Sequence, residues 1–454
     1  MKIALPYLNK TFPLEFPDKN LLAVAEPNEF GTAGTPEQIL SEALARPYGP
    51  GSFTARGPAV SGSENRKNGF EQREQGLAEF LRGGSRVLII INDATRPTPT
   101  EVMLSALLPV CKEAGLDREH LTLLVATGAH RGPTAEEYCR ILGTFHDGLR
   151  SRCIHHDARK DGDMVELGST RSGTPILLNR RIFEADRIIA TGSVEPHYFA
   201  GFTGGRKAFL PGIAAYRTIE ANHKQALSPA ARSLSLEGNP VHEDMMDALP
   251  FVRTPVFSFM TVLDRKQQTA TAAAGDLMAS FYAAVESARK IFCVPVPSTA
   301  DIVVSVAKFP MDIDLYQSQK AIDNGAAALK DGGTLILVSS CRDGIGDEAY
   351  ARLLAKASSP ADAIEQIRAG YRLGFHKAAK MAAVSGRAAV KAVTELEAEQ
   401  LKSMFIESVP SPQAALDGAL AAARAGGNPC PKILVLPDGC VTVPDPADPG
   451  KGSR

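Results

Sequence analysis

The sequence predicts an α/β protein of two domains, each built on a mainly parallel sheet. Short runs rich in Val, Ile and Leu recur along the chain, helical patterns lie between them, and 454 residues are more than one core usually holds. The apolar runs are Arg86–Asn92, Leu121–Ala126, Arg187–Ala190, Asp301–Val306, Thr334–Ser339 and Lys432–Pro437. Each reads as a strand buried on both faces. Helical patterns follow at Glu101–Ala114, Thr134–Leu142 and Gln319–Leu329, and Ala-rich segments at 377–393 and 413–425 read as helices of the second domain.

Strand, helix and strand in alternation imply parallel sheets covered by helices on both sides, hence two Rossmann-like domains. Crossovers in such folds are right-handed, and ligands gather beyond the carboxyl ends of the strands. The active site is therefore expected in the cleft between the domains. The segment Val294–Ala300 (VPVPSTA) ends a helical stretch and precedes a new strand, so it divides an N-terminal domain, 1–293, from a C-terminal domain, 298–442. Residues 47–68, rich in Gly, Pro and Ser, read as a flexible loop, and 443–454 as a flexible tail.

Lys and Arg together number 50 against 51 Asp and Glu, a net charge of -1. That balance argues against nucleic-acid binding through phosphate electrostatics and against a polybasic membrane module, which leaves a small molecule as the expected partner. The seven cysteines are scattered without a CxxC pair, which excludes a cysteine-framed zinc site and disfavours a disulfide scaffold. They read as buried thiols. The first residues lack the apolar run of a signal peptide and no stretch is long enough to span a membrane, so a cytoplasmic location is expected.

The reactive residues sit where the fold wants them. VLIIIND runs into ATRPTP, LLVA into TGAHRG, IIA into TGSVEPH, and LILVSS into CRDGIGD. Asp93 and Arg96, just past a strand, suit a ribose, phosphate or carboxylate, although Asp93 also reads as the cap of the helix entered through Pro97 and Pro99. His130 precedes an acidic helix start, where its protonated form is disfavoured and a neutral base results. The remaining histidines, His120, His146, His155, His156 and His242, read as solvated loop residues.

The densest concentration lies in residues 192–223, GSVEPHYFAGFTGGRKAFLPGIAAYRTIEANH, where His197, Lys207 and His223 share a glycine-rich segment. Gly-Gly-Arg-Lys lacks the Ser or Thr that would complete a P-loop. His197 and His223 are too far apart for a local metal pair, so a shared site depends on tertiary structure. By themselves these residues define an active site with a possible metal, and no particular reaction. In DLYQSQKAIDNG, Gln317 and Lys320 share one helical face beside Tyr316, an arrangement suited to a carboxylate or to an exposed helix start.

Together NDATRP, TGAHRG, VEPHYFAGFTGGRKAFLPGIA, the downstream NH and LYQSQKAIDN resemble the lactate racemase family of nickel-dependent 2-hydroxyacid racemases and epimerases. TLILVSSCRDGIGDE and KILVLPDG extend the likeness to nearly the whole chain. The resemblance implies a nickel-pincer nucleotide, a pyridinium mononucleotide with two sulfur-bearing arms, joined to Lys207 through a thioamide. His223 would supply nitrogen to nickel, in a planar site of the kind Ni(II) favours. His130 and His197 would be the paired acid and base, and Asp93, Ala94, Thr95 and Arg96 would line the cofactor, Arg96 also near the substrate oxygen. Tyr316, Gln317 and Lys320 would hold the substrate in a clamping second domain. Proteins that make the cofactor would be partners for loading. The implied reaction removes a hydride from C2 and the hydroxyl proton to a histidine, gives a 2-keto acid, and returns hydride to the other face.

One departure bears on substrate. Lactate-specific members carry a tryptophan near the substrate, and this chain has none. The corresponding YRLGFHKAAKMAA offers Phe375 or His376, and a smaller or more polar wall admits a longer 2-hydroxyacid such as a malate-like or sugar acid. His376 reads equally as a helix-packing residue. Two alternatives stand beside racemisation. A dinucleotide-dependent 2-hydroxyacid oxidoreductase would need a GxGxxG after the strand ending at Asn92, and none is there. A protein that stores the cofactor would have no use for both His130 and His197.

Overall fold

The computed structural model describes residues 1–31, 34–49 and 76–447, so residues 50–68 of the expected 47–68 loop lie outside the described residues. It forms two compact units, Glu29–Arg289 and a second made of Met1–Asn28 with Lys290–Arg454.

In the first unit six strands form one sheet, in the order Thr269–Gly275, Val256–Leu263, Arg187–Ser193, Val87–Asn92, Leu121–Ala126, Cys153–His155. Neighbours are parallel except for the antiparallel hairpin of the first two. The unbroken apolar run of Val87–Ile91 is explained by burial on both faces, since none of these residues is more than 2% exposed. On helix Thr100–Glu113, Met103, Leu104, Leu107 and Cys111 fall at helical spacing and bury against Ile89, Ile91, Leu123 and Val125. Helix Ala135–Leu142 begins at a capping box, in which the Thr134 hydroxyl accepts from Glu137 N–H and the Glu137 carboxylate accepts from Thr134 N–H.

The chain enters this sheet at Val87–Asn92, builds outward to Cys153–His155, then returns to lay Arg187–Ser193 on the other side of its first strand. That reversal is a switch point, where parallel sheets open a crevice beyond the carboxyl ends of the strands. The strand expected to stop at Ala190 continues to Ser193, because Thr191 buries its hydroxyl on the Ile90 carbonyl at 2.9 Å and its neighbours pair with Val256–Leu263.

The second unit holds an all-parallel sheet, ordered Glu407–Ser408, Ala389–Val393, Leu329–Val338, Ala300–Val306, Ile433–Leu436, Leu21–Val24. Its last strand corrects the expected boundary: residues 1–28 belong here and not with the chain up to 293. The N-terminal hairpin buries Leu5, Leu14 and Phe16 against Ile302, Val304, Ile336 and Ile433, and LLAV then pairs beside Ile433–Leu436. No local pattern in LLAV specifies so distant a partner.

Other boundaries move for local reasons. The helix expected over 377–393 is helix Phe375–Ser385 followed by strand Ala389–Val393, because Gly386 ends the helix and the β-branched valines then pair with Thr334–Val338. The helix expected to reach Leu329 spans Leu315–Ala326, and Leu329 already begins a strand. The expected flexible tail also starts too early, since Val443–Pro446 pairs with Cys293–Val296; residues 448–454 lie outside the described residues. No disulfide joins any of the seven cysteines, but only Cys111, Cys153 and Cys341 are buried and Cys139 is exposed. Among the described residues no helix is long and apolar enough to cross a membrane.

Candidate active site

The three loops that follow Val87–Asn92, Leu121–Ala126 and Arg187–Ser193 leave the same edge of the first sheet, and they carry Asp93, His130 and His197. Thr98 ties two of them together, its hydroxyl donating to Asn92 Oδ1 at 2.7 Å and lying 2.9 Å from Ser193 Oγ. Gly128 N–H in the third loop donates to the Gly212 carbonyl at 3.0 Å, which joins it to the segment after Lys207.

Asp93 does not cap the following helix, whose N-cap is Pro99. Its Oδ1 accepts from the Thr95 hydroxyl at 2.6 Å and from Thr95 N–H at 3.2 Å, and its Oδ2 lies 2.8 Å from His130 Nδ1. Burial pushes the carboxyl upward, but the hydrogen bonds from His130 and Thr95 and the charge of Arg96 outweigh it and hold it below its ordinary value. An ionised Asp93 accepts a hydrogen bond from Nδ1–H, which leaves Nε2 of His130 with the lone pair, and half of the His130 side chain is exposed. Ala94 packs against the apolar core.

Residues 197–207 form a tight loop around a buried cation. The Arg206 guanidinium is fully buried, donates to the carbonyls of Ala200 at 2.7 Å, Gly204 at 3.3 Å and Thr203 at 3.4 Å, and lies over the Phe281 ring at 4.4 Å. Gly205 has φ +53°, and a Cβ there would meet the Phe281 ring at 2.8 Å, so this turn requires glycine. A Gly205→Ala protein is expected to lose at least 1 kcal/mol of stability through this strain, measurable as a lowered denaturant midpoint; an unchanged midpoint would refute the tight-packing account.

Lys207 follows directly. Desolvation, reinforced by the charges of Arg96 and Arg206, drives its amine well below the ordinary lysine value. The neutral amine this favours is the nucleophilic form. Its Nζ lies 5.5 Å from the centre of the Phe199 ring. The same ring meets His197 edge-on at 4.5 Å and His223 edge-on at 5.0 Å. Phe199, almost fully buried, thus stands among all three reactive side chains of the segment. Nothing in the sequence marks it beyond its place in HYFAGF. His197 also accepts from Ala200 N–H through Nδ1 at 3.3 Å and stacks on Tyr198. His223, near the end of helix Tyr216–Lys224, is buried with Nδ1 3.1 Å from Asn222 Oδ1. Among the described residues no three His, Cys, Asp or Glu side chains converge to hold a bare metal ion.

In the second unit, helix Leu315–Ala326 begins beyond the carboxyl end of Ala300–Val306, capped by Asp314, whose Oδ1 accepts from Gln317 N–H at 2.6 Å. Gln317 and Lys320 share its first turns, and Lys320 Nζ lies 3.1 Å from Met311 Sδ. Tyr316 is packed more than presented: Tyr350 meets its ring edge-on, and Lys377 lies 3.8 Å from its ring centre and donates to its carbonyl. Lys377, which the sequence reading did not select, is buried, and its ammonium feels the charge of Lys320. His376 is also buried, at the start of helix Phe375–Ser385, with Nδ1 3.0 Å from the Tyr371 hydroxyl.

Two histidines expected in solvent are in the core. His156 is fully buried, with Nε2 2.9 Å from the Ala214 carbonyl and Nδ1 3.1 Å from Asn179 Nδ2; His242 is 4% exposed and packs on Phe281. Burial lowers the pKa of both, and for His242, with the Arg206 charge added, to about 2. His242 stays neutral when folded and protonates on unfolding, so stability is expected to fall as pH drops below the ordinary histidine value, by on the order of 1 kcal/mol per pH unit, and the lowered pKa of His156 acts in the same direction. Denaturant midpoints measured from pH 7 to 5 test this, and a profile unchanged by His242→Gln would count against it.

Relatives over nearly the full length define the class. The lactate racemase N-terminal domain matches residues 71–233 and the lactate racemase C-terminal domain residues 296–443. The lactate racemase of Thermoanaerobacterium thermosaccharolyticum is 31% identical over 452 residues, 97% of this chain and 98% of that protein. That of Lactiplantibacillus plantarum is 33% identical over 375 residues, 80% of this chain and 86% of the relative. The solved structure of the lactate racemase apoprotein from Thermoanaerobacterium thermosaccharolyticum superposes with a TM-score of 0.85 at 29% identity, covering 98% of this chain and 100% of that one. The chain is thus an α/β isomerase of the racemase class. It belongs to the lactate racemase family.

Proposed function

We propose that the chain inverts C2 of a 2-hydroxyacid, using a nickel-pincer nucleotide attached to Lys207. The observation that carries this reading is the Asp93–His130 pair at 2.8 Å, on the same sheet edge as the loop bearing His197 and the desolvated amine of Lys207. The residues fit the group. A neutral lysine amine suits covalent attachment, and a buried histidine held through Nδ1 suits a single protein nitrogen on nickel, the other ligands coming from the nucleotide itself. When bound, the group supplies the acceptor and donor of hydride at C2.

The protein's own part is proton transfer, orientation and exclusion of water. His130, whose Nε2 carries the lone pair because its Nδ1–H donates to Asp93, accepts the hydroxyl proton of one enantiomer. His197 is its counterpart for the other enantiomer once its Nδ1 gives up the Ala200 N–H, and each returns a proton in the reverse direction. Arg96 steadies the substrate oxygen and the nucleotide. Gln317 and Lys320, on the first turns of the helix capped by Asp314, hold the carboxylate so that the keto acid stays bound.

The substrate is a 2-hydroxyacid other than or broader than lactate, with a malate-like dicarboxylate or a sugar acid as candidates. Support for this lies in the absence of tryptophan from the whole sequence. The test is to load the protein in a host that makes the cofactor and incubate it with single enantiomers of lactate, dicarboxylic and sugar 2-hydroxyacids. Chiral chromatography should show the opposite configuration appearing at C2 from at least one of them. Loaded protein that inverts none refutes the reaction, and inversion of lactate alone refutes the substrate assignment.

A further inference from the structure

Behind His223 lies a chain of hydrogen bonds that ends on a fully buried carboxylate, Asp244. Thr170 and Thr174 donate their hydroxyls to its two oxygens, Thr174 at 2.8 Å. Thr170 donates because a carboxylate oxygen only accepts, and its own oxygen accepts in turn from Thr174 N–H at 3.1 Å. Asn222 approaches Asp244 Oδ2 at 2.8 Å and the Val241 carbonyl at 3.2 Å with the same side-chain nitrogen. A carboxylate and a carbonyl only accept, so the amide can face them only with its NH2 group. The orientation of Asn222 is therefore settled by its partners. Its Oδ1 must then be the atom 3.1 Å from His223 Nδ1, and an amide oxygen only accepts. It follows that Nδ1 carries the proton and Nε2 the lone pair.

We infer that Asp244, acting through Asn222, is a positioning residue that fixes His223 as its Nδ1–H tautomer and presents Nε2 as the nitrogen for a metal. The metal-binding half rests on the proposed function, while the tautomer stands apart from it. Histidine ligands commonly donate their second ring nitrogen to an oxygen that sets orientation and basicity. Here the setting is made two hydrogen bonds away, from the helix Pro240–Ala248 that carries Asp244.

The test reads the tautomer directly. Long-range nitrogen–proton correlation spectra of the cofactor-free full chain, labelled at histidine and assigned with His223→Gln, should show His223 as the Nδ1–H form. A dominant Nε2–H form in the unaltered protein overturns the inference by itself. In Asp244→Asn, an isosteric change that removes the charge and weakens one of the two acceptors of the Asn222 NH2 group while the Val241 carbonyl keeps the other, the share of the Nδ1–H form should fall; an unchanged tautomer in a folded Asp244→Asn protein overturns the part given to Asp244. Asn222→Leu serves the same purpose should Asp244→Asn fail to fold. In protein loaded with cofactor, Asp244→Asn should keep the covalent mass on Lys207 but bind nickel about 10- to 100-fold more weakly. Absence of adduct and nickel from the unaltered protein would refute the cofactor reading and leave the tautomer result intact. A merely structural role for Asp244 would lower thermal stability without moving the tautomer.

Discussion

A Lys207→Ala protein, made in a host able to supply the cofactor, is expected to show no covalent adduct and no racemisation above background. The amine of Lys207 is desolvated and lies near the charges of Arg96 and Arg206, all of which favour its neutral form. A neutral amine attacks an activated carbonyl or thiocarbonyl carbon, and an ammonium does not. Lys207→Arg is the more demanding control, because it restores charge and length without a usable nucleophile. It should fail equally. Intact mass spectrometry checks both, and a persisting adduct would mean that another residue is the anchor.

The second large effect is expected at His130. His130→Ala should retain the adduct and nickel while lowering racemisation by about 10²- to 10⁴-fold, the usual worth of a positioned acid or base. Asp93→Asn should approach that loss, since an amide can donate to Nδ1 and so turn the ring to the wrong tautomer. It leaves the shape of the Asp93–Thr95 turn nearly intact. Turnover of both enantiomers followed at full cofactor loading separates this from a loading defect, and unchanged turnover in His130→Ala would remove it from the mechanism.

The two variants differ in how far their logic could be read before folding. Lys207, His130 and the loops that carry them were legible because apolar runs such as VLIII end abruptly in small reactive residues, and buried parallel strands put those ends on one edge. Asp93 was legible as a residue of interest, but its role was not. As a local motif, Asp followed by prolines is as good a helix cap as a hydrogen-bond partner for a distant side chain. The distinction came from His130, 37 positions away, reaching its Oδ2. Histidines erred in the opposite direction. His156 and His242 lie in polar stretches that read as loops, yet each is covered by packing that no neighbouring residue announces.

The N-terminal segment shows the same limit at the scale of a domain. LLAV is a weak strand signal, and nothing within it says that it will extend a sheet whose next strand begins at Ile433. Backbone hydrogen bonding between strands carries no residue code, so edge position and partner are set by which apolar surfaces remain to be covered.

What the sequence determined by itself was the class of sheet, the positions of most central strands and the identities of the reactive side chains, because periodicity and abrupt changes of polarity are local properties. Tertiary structure alone decided which of those side chains meet. It paired Asp93 with His130, put Phe199 among His197, Lys207 and His223, buried Arg206 under the loop, and ran Asn222 and Asp244 behind His223. Those pairings depend on distances between residues far apart in the chain, and only the closed packing of the fold sets them.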